Sequence, residues 1–501
     1  MNKKINRLLK GALAFTVAFS TLAVTTSTSR SVSAVEQEES YTQYVDPFVC
    51  TDVDYGQLFP GSVVPNGLVK LSPDTYPHNT LDHAGYDYSK LQIQGFSHTR
   101  IEGVGGQGAG GDVLVTPTYV EYSQRPQAQT RAMNYTKEDE SAKPGYYSVE
   151  LTPKTGKDND VKDSPEIGKI KAEMTTDQRT GFHRYTFPEA GSVNIITDLN
   201  YTYHGTDIRN AYVDVLEQSD TTTAIGGRFS GRNVSGNGKY TMYFYMETSK
   251  PANSIKTWND TTLSDKTSQK GNDIGTIMNF DVEENEEIQL KVSISPISVK
   301  QAKIDMHNEI DDWDFDAAAS RADQAWNDVL SKVRVESSKV SDPTGELKQL
   351  FYTHLYHMFM TPVNATSTSG TFRGTDGKIH EANDYTHYDS WTLWDDYRKY
   401  PMIGLIQPDT YKDMVKSIAD ALDYGIVTWS HDKQPVPNVR TEHAVALLAD
   451  GVAKGFTDID NLEEAYEEAK EIVNEVITSE VEEIGYVPNR VDRTIEYGYD
   501  D

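Results

Sequence analysis

The chain has 501 residues, of which 76 are acidic and 47 basic, and a formal net charge of -29. That charge argues against nucleic acid or an anionic membrane as a partner, since both attract basic surfaces. Cys50 is the single cysteine, which excludes an intrachain disulfide and a cysteine zinc cluster and leaves a hard cation on oxygen ligands, such as calcium, as the expected metal if one is used.

The first residues read as an export signal. Lys3, Lys4, Arg7 and Lys10 precede a mostly apolar run from Ala12 to Val24, and Val32-Ser33-Ala34 offers small residues for cleavage. Residues 1–34 are expected to be a signal peptide and the mature protein to start near Val35, secreted or at the cell surface, with an uncleaved anchor as the alternative. No later stretch is apolar enough to cross a membrane.

From Tyr44 to about Lys300 short runs rich in Val, Ile, Tyr, Phe and Thr alternate with Gly, Pro, Asn and Asp turns. Gly111–Thr116, Gly145–Leu151, Gly181–Phe187, Ser192–Leu199 and Tyr240–Glu247 are predicted strands. Such a series without intervening helices implies an antiparallel β-sandwich or barrel over 35–300. The polar stretches Pro153–Pro165 and Asn253–Asn272 are predicted to be exposed loops.

Near Gln301 the hydrophobic period changes. Residues 301–340 read as a linker region holding a helix, Trp313–Val333, capped by Asp314 or Asp316. From 341 onward the chain reads as helical. Leu347, Leu350, Phe351, Leu355, Met358 and Phe359 form one apolar stripe ending before Pro362, and a loop rich in Thr, Ser and Gly follows (Asn364–Asp384). Helices are predicted over Asp409–Tyr424, with Met414, Ile418, Ala421 and Leu422 inward, over Thr441–Lys454, and over Asn461–Ser479. With so few helices, the chain is expected to be the front part of a longer protein.

One stretch gathers the chemistry: Trp391-Thr-Leu-Trp394-Asp395-Asp396-Tyr397-Arg398. Aromatic faces bind the C–H faces of sugar rings, while carboxylates and Arg grip hydroxyls. The bland alternative is a helix with Trp391 and Trp394 in its core stripe and the charges on its wet face. Gly103–Gly111 lacks the Gly-Lys-Ser/Thr of a phosphate loop and sits between strands. It reads either as a loop whose glycines let a sugar approach the backbone, flanked by His98 and Glu102, or as a plain surface loop.

Tyr44-Val-Asp-Pro-Phe-Val49, Leu58-Phe-Pro-Gly-Ser-Val-Val-Pro65, Gly85-Tyr-Asp-Tyr-Ser89, Gly95-Phe-Ser-His-Thr99, Arg179-Thr-Gly-Phe-His-Arg-Tyr185 and Trp394-Asp395 with Tyr397-Arg398 together resemble glycoside hydrolase family 92, the calcium-dependent exo-α-mannosidases, over the N-terminal part of that family. The resemblance runs from Tyr44 to the end. It implies a β-sandwich followed by an (α/α)6 barrel, here incomplete over 341–501, with the active site between them. It implies mannose-containing glycans as partners, calcium as cofactor, and an inverting α-mannosidase, in particular one that trims α-1,2-linked mannose from N-glycans. It places the general acid, the base and the main calcium ligands past Asp501, so that no catalytic residue is assigned in this chain and the chain alone is expected to be inactive. Asp395 is implied as a sugar-positioning carboxylate, beside Trp394 and Arg398. Arg440, Glu442 and His443 are implied at the pocket, while Glu496 and Asp500 read as barrel structure. Cys50 stands where the family commonly has Gly, and Asn66 where it commonly has Phe. A carbohydrate-binding or adhesive surface protein without hydrolase activity is the competing reading.

Overall fold

Two antiparallel sheets face each other across the first part of the protein. The computed structural model describes residues 39–52, 58–79, 82–100, 110–203, 210–232, 239–374, 376–389, 393, 397–423 and 442–471. The predicted signal peptide lies outside them, and no helix among the described residues is long and apolar enough to cross a membrane.

The first sheet runs Ser72–Thr75, Gln92–Ser97, Leu114–Thr118, Gly191–Asp198, Ile274–Val282, Ser254–Asn259 and Thr262–Ser264, with Met133–Asn134 added beside Gln92–Ser97. The second runs Ser268–Gly271, Ala211–Gln218, Thr223–Arg232, Lys239–Thr248, Glu286–Ser295, Thr180–Phe187, Ile170–Thr176, Tyr146–Leu151 and Glu140–Lys143. Alternation sets the inward faces: in Tyr146–Leu151 the buried residues are Tyr147, Val149 and Leu151. They meet Phe96, Val115, Val193, Ile195 and Met278 of the opposite sheet in one apolar core. The expected β-sandwich is observed.

The two stretches expected as loops contain strands. Lys154–Lys157 pairs with Asp160–Asp163 around Asp158, which takes a positive φ of 53°. Ser254–Asn259 pairs with both Thr262–Ser264 and Ile274–Val282. These strands are short and polar, so hydrogen bonding defines them without the hydrophobic alternation that a sequence reading follows.

The helical part contains Val299–Glu309, Phe315–Leu330, Glu346–Met358, Tyr400–Ile406, Pro408–Asp423 and Glu442–Ala453, and residues 462–471 are also helical. Asp314 caps Phe315–Leu330 by accepting from Ala317 N, as anticipated. Pro408–Asp423 buries Met414, Ile418, Ala421 and Leu422, again as anticipated. Two readings need correction. No helix is expected over Val299–Glu309 from the sequence, because its buried face mixes Gln301 and Asp305 with Ala302 and Met306 and shows only a short apolar stripe. In Glu346–Met358 the face was misjudged: Leu347, Leu350 and Phe351 are exposed, and Tyr352, Thr353, Leu355 and Tyr356 turn inward. Tyr352 can be buried because its hydroxyl donates to Val333 O at 2.8 Å. The region expected as a loop over Asn364–Asp384 holds a hairpin of Thr371–Arg373 and Ile379–Glu381.

Ser40 to the C-terminal side forms one unit, and its two layers are stitched together. Tyr41, Val45, Phe59 and Val63 belong to the helical core with Trp326, Tyr352 and Tyr356. Trp326 Nε1 donates to Val63 O at 2.5 Å. Asn66, with φ 56°, donates from its backbone to Phe359 O at 2.7 Å, accepts from Asn364 N at 2.8 Å and donates from Nδ2 to Pro362 O at 2.6 Å.

Candidate functional site

On the sandwich side, the described residues show how the Gly-rich loop is held. Its stem closes between Thr99-Arg100 and Gly110-Gly111-Asp112. Gly111 N donates to Thr99 O at 2.7 Å, and His98 N to Asp112 O at 3.0 Å. The Thr99 hydroxyl donates to Asp112 Oδ2 at 2.5 Å, and Tyr240 OH donates to the same oxygen at 2.7 Å. Gly110 has φ 107°, and a Cβ there would stand 2.4 Å from Thr99 O. Only glycine fits this crossing.

Arg100 is fully buried beneath the stem. Nε donates to Lys70 O and Nη1 to Ala84 O, each at 3.0 Å, while Nη2 donates to Ser72 O and Ser97 O at 3.0 Å and to Ser97 Oγ at 2.9 Å. Asp74 stands 3.8 Å from Nη2. It accepts from Ser97 N at 2.9 Å and from Tyr203 OH at 3.0 Å. Burial pushes its carboxyl up to about 6, against the opposing pull of Arg100. Asp74 and Arg100 therefore hold strand ends in place and present nothing to a ligand.

His98 is also fully buried. Nδ1 pairs with Val113 O at 2.8 Å and Nε2 with His183 Nε2 at 2.9 Å, while His183 Nδ1 pairs with Tyr185 OH at 2.9 Å. A carbonyl only accepts, so His98 carries its proton on Nδ1. Its bare Nε2 then accepts from His183 Nε2–H, and His183 Nδ1 accepts from Tyr185. Burial lowers His98 to about 3 and His183 well below the usual histidine range. Both ring nitrogens of His98 are thus engaged inside the sandwich. Of the two sequence readings, sugar contact and loop fixation, this placement supports fixation. Glu102 lies outside the described residues.

On the helical side, His443 Nδ1 donates to Leu393 O at 3.0 Å, and its ring stacks on Tyr397 at 4.0 Å with an interplanar angle of 16°. This pins Leu393 and Tyr397 to the helix Glu442–Ala453. The Arg398 guanidinium lies over the Tyr397 ring at 4.7 Å, and the residue is exposed. The structure thus brings together Arg398, Tyr397 and His443. Glu442 is the first residue of its helix, and its side chain is outside the description. Trp394, Asp395, Arg440, Glu496 and Asp500 lie outside the described residues.

The sequence reading did not single out Arg179 and Glu309, which join the two parts. Arg179 Nη1 donates to Glu309 Oε1 at 2.6 Å and its backbone N to Oε2 at 3.0 Å; Thr180 Oγ1 donates to the same Oε2 at 2.9 Å. Arg179 Nη2 also reaches Thr366 O. The Arg179–Tyr185 motif was visible as a motif, but its partner on another element was not. Among the described residues no group of three or more His, Cys, Asp or Glu side chains is placed to hold a metal ion.

Residues 44–295 match the glycosyl hydrolase family 92 N-terminal domain, and residues 301–501 match the glycosyl hydrolase family 92 catalytic domain. The chain belongs to glycosyl hydrolase family 92. The expectation that only the N-terminal part of the family is represented is corrected by the second match, which reaches the family's catalytic domain. A solved family 92 glycosyl hydrolase is 43% identical with a TM-score of 0.79, over 86% of this chain and 56% of that one. A family 92 α-mannosidase from Bacteroides thetaiotaomicron is 28% identical with a TM-score of 0.74, over the same shares, and has also been solved in complex with mannoimidazole. A curated relative from Arthroderma benhamiae, described as an uncharacterized secreted glycosidase, is 21% identical over 93% of this chain and 60% of its own length. The family 92 chain described here therefore spans little more than half the length of its solved relatives.

Within family 92, the two departures noted in the sequence acquire a physical meaning. Cys50 has φ 66° and Asn66 φ 56°. Both adopt the left-handed region, where Gly is unstrained, Asn is tolerated and Cys costs about 1 kcal/mol.

Proposed function

We propose that this protein is an exported exo-α-mannosidase that removes terminal mannose from glycans, with α-1,2 linkages of N-glycans as its substrate class. The observation that carries the reading is the ordered match of both family 92 domains across 44–501. The solved α-mannosidase relatives, one with a mannose-like inhibitor, support it, and the apolar leader in the sequence supports export. The reaction is inverting: one carboxyl protonates the leaving oxygen and a second activates water on the opposite ring face, the two about 6.5–9.5 Å apart. Asp395 takes two mannose hydroxyls in charge-assisted hydrogen bonds, with Trp394 and Arg398 beside it and Arg440, Glu442 and His443 along the helix start.

The test is ligand-observed NMR of the chain with methyl α-mannoside, methyl α-glucoside and methyl α-galactoside. Selective mannoside binding that Asp395→Asn weakens supports the reading. Equal binding of all three, or of none, overturns it. Turnover of α-1,2-mannobiose by the chain, with none of α-1,2-glucobiose, would support it further.

A further inference from the structure

The strand Leu114–Thr118 begins at the Gly-rich loop stem. At its other end the chain turns into residues 119–131, which form one wall of a separate cleft. The opposite wall is the hairpin of Lys154–Lys157 and Asp160–Asp163. The walls are fixed to each other: Glu121 N donates to Gly156 O at 2.9 Å, Asp158 N to Glu121 O at 2.8 Å, and Ser123 donates from N and Oγ to the Asp158 carboxylate at 2.7 and 2.6 Å. Beneath them Val120, Tyr122, Ile196, Trp258 and Ile277 form a small core of their own, with Val161 packed against it. The cleft is built on a rigid base.

Its volume is about 430 Å³, and it is lined by Gln124, Gln127, Gln129, Thr130, Asn159 and Val161. Four carboxamides on one cleft call for an explanation. Gln127 Nε2 makes only a long contact to Arg125 O, at 3.4 Å. Gln129 and Asn159 are exposed and Gln124 is half-buried, and among the described residues their side-chain amides form no hydrogen bond within the protein, so they are open to a ligand. Each carboxamide offers donors and an acceptor, the match for vicinal hydroxyls that both donate and accept. No charged side chain lines the cleft, so an anion or cation finds no counter-charge there. Val161 is its one aliphatic residue, so a lipid finds no apolar wall.

We infer that this cleft is a non-catalytic binding site for a neutral oligosaccharide of two or three hexose units, held through the amides of Gln124, Gln127, Gln129 and Asn159. The cleft's volume lies in the range of about 300–1,000 Å³ usual for small-molecule sites. The site stands at the opposite strand end from the loop stem and does not depend on the mannosidase reading. An exo-acting enzyme with such a site holds its glycan at a second place on the sandwich.

The test is saturation-transfer NMR of the whole chain with α-mannotriose and with maltotriose. It compares the wild type with the triple variant Gln124→Ala, Gln127→Ala, Asn159→Ala and with Asp395→Asn. All three cleft positions are half-exposed or exposed, and an unchanged melting curve confirms that the triple variant folds. Transfer to at least one trisaccharide that falls about fivefold or more in the triple variant and persists in Asp395→Asn supports the inference; fivefold corresponds to one net hydrogen bond of about 1 kcal/mol. No transfer to either trisaccharide, or transfer that survives when the triple variant also carries Asp395→Asn, overturns it. The Asp395→Asn arm separates this outcome from failure of the mannoside site.

Discussion

Arg179 and Glu309 form a buried, bidentate pair between the turn ahead of the strand Thr180–Phe187 and the helix Val299–Glu309, with Glu309 accepting from both the guanidinium, at 2.6 Å, and the backbone N, at 3.0 Å, of the same arginine. Both side chains are 7% exposed. Removing one partner leaves a desolvated charge without its match. Arg179→Ala and Glu309→Ala are each expected to cost about 3–5 kcal/mol, read by urea denaturation. A loss under about 1 kcal/mol for either would show that water compensates the pair freely.

The same pair gives a pH signature. Burial, the larger influence, pushes Glu309 up to about 7, while Arg179 pulls the other way. A carboxyl raised in the folded state stabilises the protein fully below its unfolded value and loses that contribution as pH rises through the folded value. Wild type is therefore expected to lose stability between pH 5 and pH 8 relative to Glu309→Gln. Parallel stability curves for the two proteins would contradict the assignment.

The His98–His183 pair acts in the opposite direction. Both rings stay neutral when folded and take protons when unfolded. Their contribution is present above the unfolded value of about 6.5 and is lost as pH falls toward 3, by about 1.4 kcal/mol per pH unit for each ring. Imidazole nitrogen NMR at pH 5 is expected to show two neutral rings, His98 protonated on Nδ1 and His183 on Nε2. An imidazolium signal from either would rule this out.

Two backbone positions yield substitutions of opposite sign. Cys50→Gly relieves a left-handed cysteine and is expected to stabilise by up to about 1 kcal/mol. Gly110→Ala drives a methyl into Thr99 O at a positive φ and is expected to cost about 1–3 kcal/mol. Thermal melts of both variants check the signs. A destabilised Cys50→Gly or a neutral Gly110→Ala would contradict the backbone argument.

The stack of His443 on Tyr397, with its bond to Leu393 O, links Leu393 and Tyr397 to the helix Glu442–Ala453. His443→Ala is expected to weaken mannoside binding about fivefold or more through lost positioning, and His443→Asn, which can still donate to Leu393 O, to recover part of it. Equal losses in both variants would point to the ring alone.

The sandwich was legible because Tyr147, Val149 and Leu151 alternate as a half-buried strand must. The helix Pro408–Asp423 was legible because its apolar residues recur at helical spacing. Val299–Glu309 was not, since only Ala302 and Met306 are apolar among the residues it buries, beside Gln301 and Asp305, and one of the bonds that hold the polar pair comes from far away in sequence: Asp305 Oδ1 accepts from Thr368 N at 2.8 Å. For the same reason Arg179 and Glu309 were invisible as a pair. His98 was legible as a flank of the Gly-rich loop, either touching a sugar or fixing the loop, but the burial that closes off both its nitrogens depends on His183, a residue on the opposite sheet. The resemblance implied Arg398 and His443 at one pocket, and the contact between Tyr397 and His443 could be seen only in three dimensions.

Tyr41, Val45, Phe59 and Val63 sit in the helical core, and Tyr41 N donates to Asn327 Oδ1 across 286 positions of sequence. The earliest residues of the folded part are therefore synthesised first and buried last. Until Trp326, Tyr352 and Tyr356 have been made, these apolar side chains have no partner, and the loop to be closed is the longest kind in the fold. A chain built this way gains from delayed collapse, because early compaction would bury the opening segment in the wrong place.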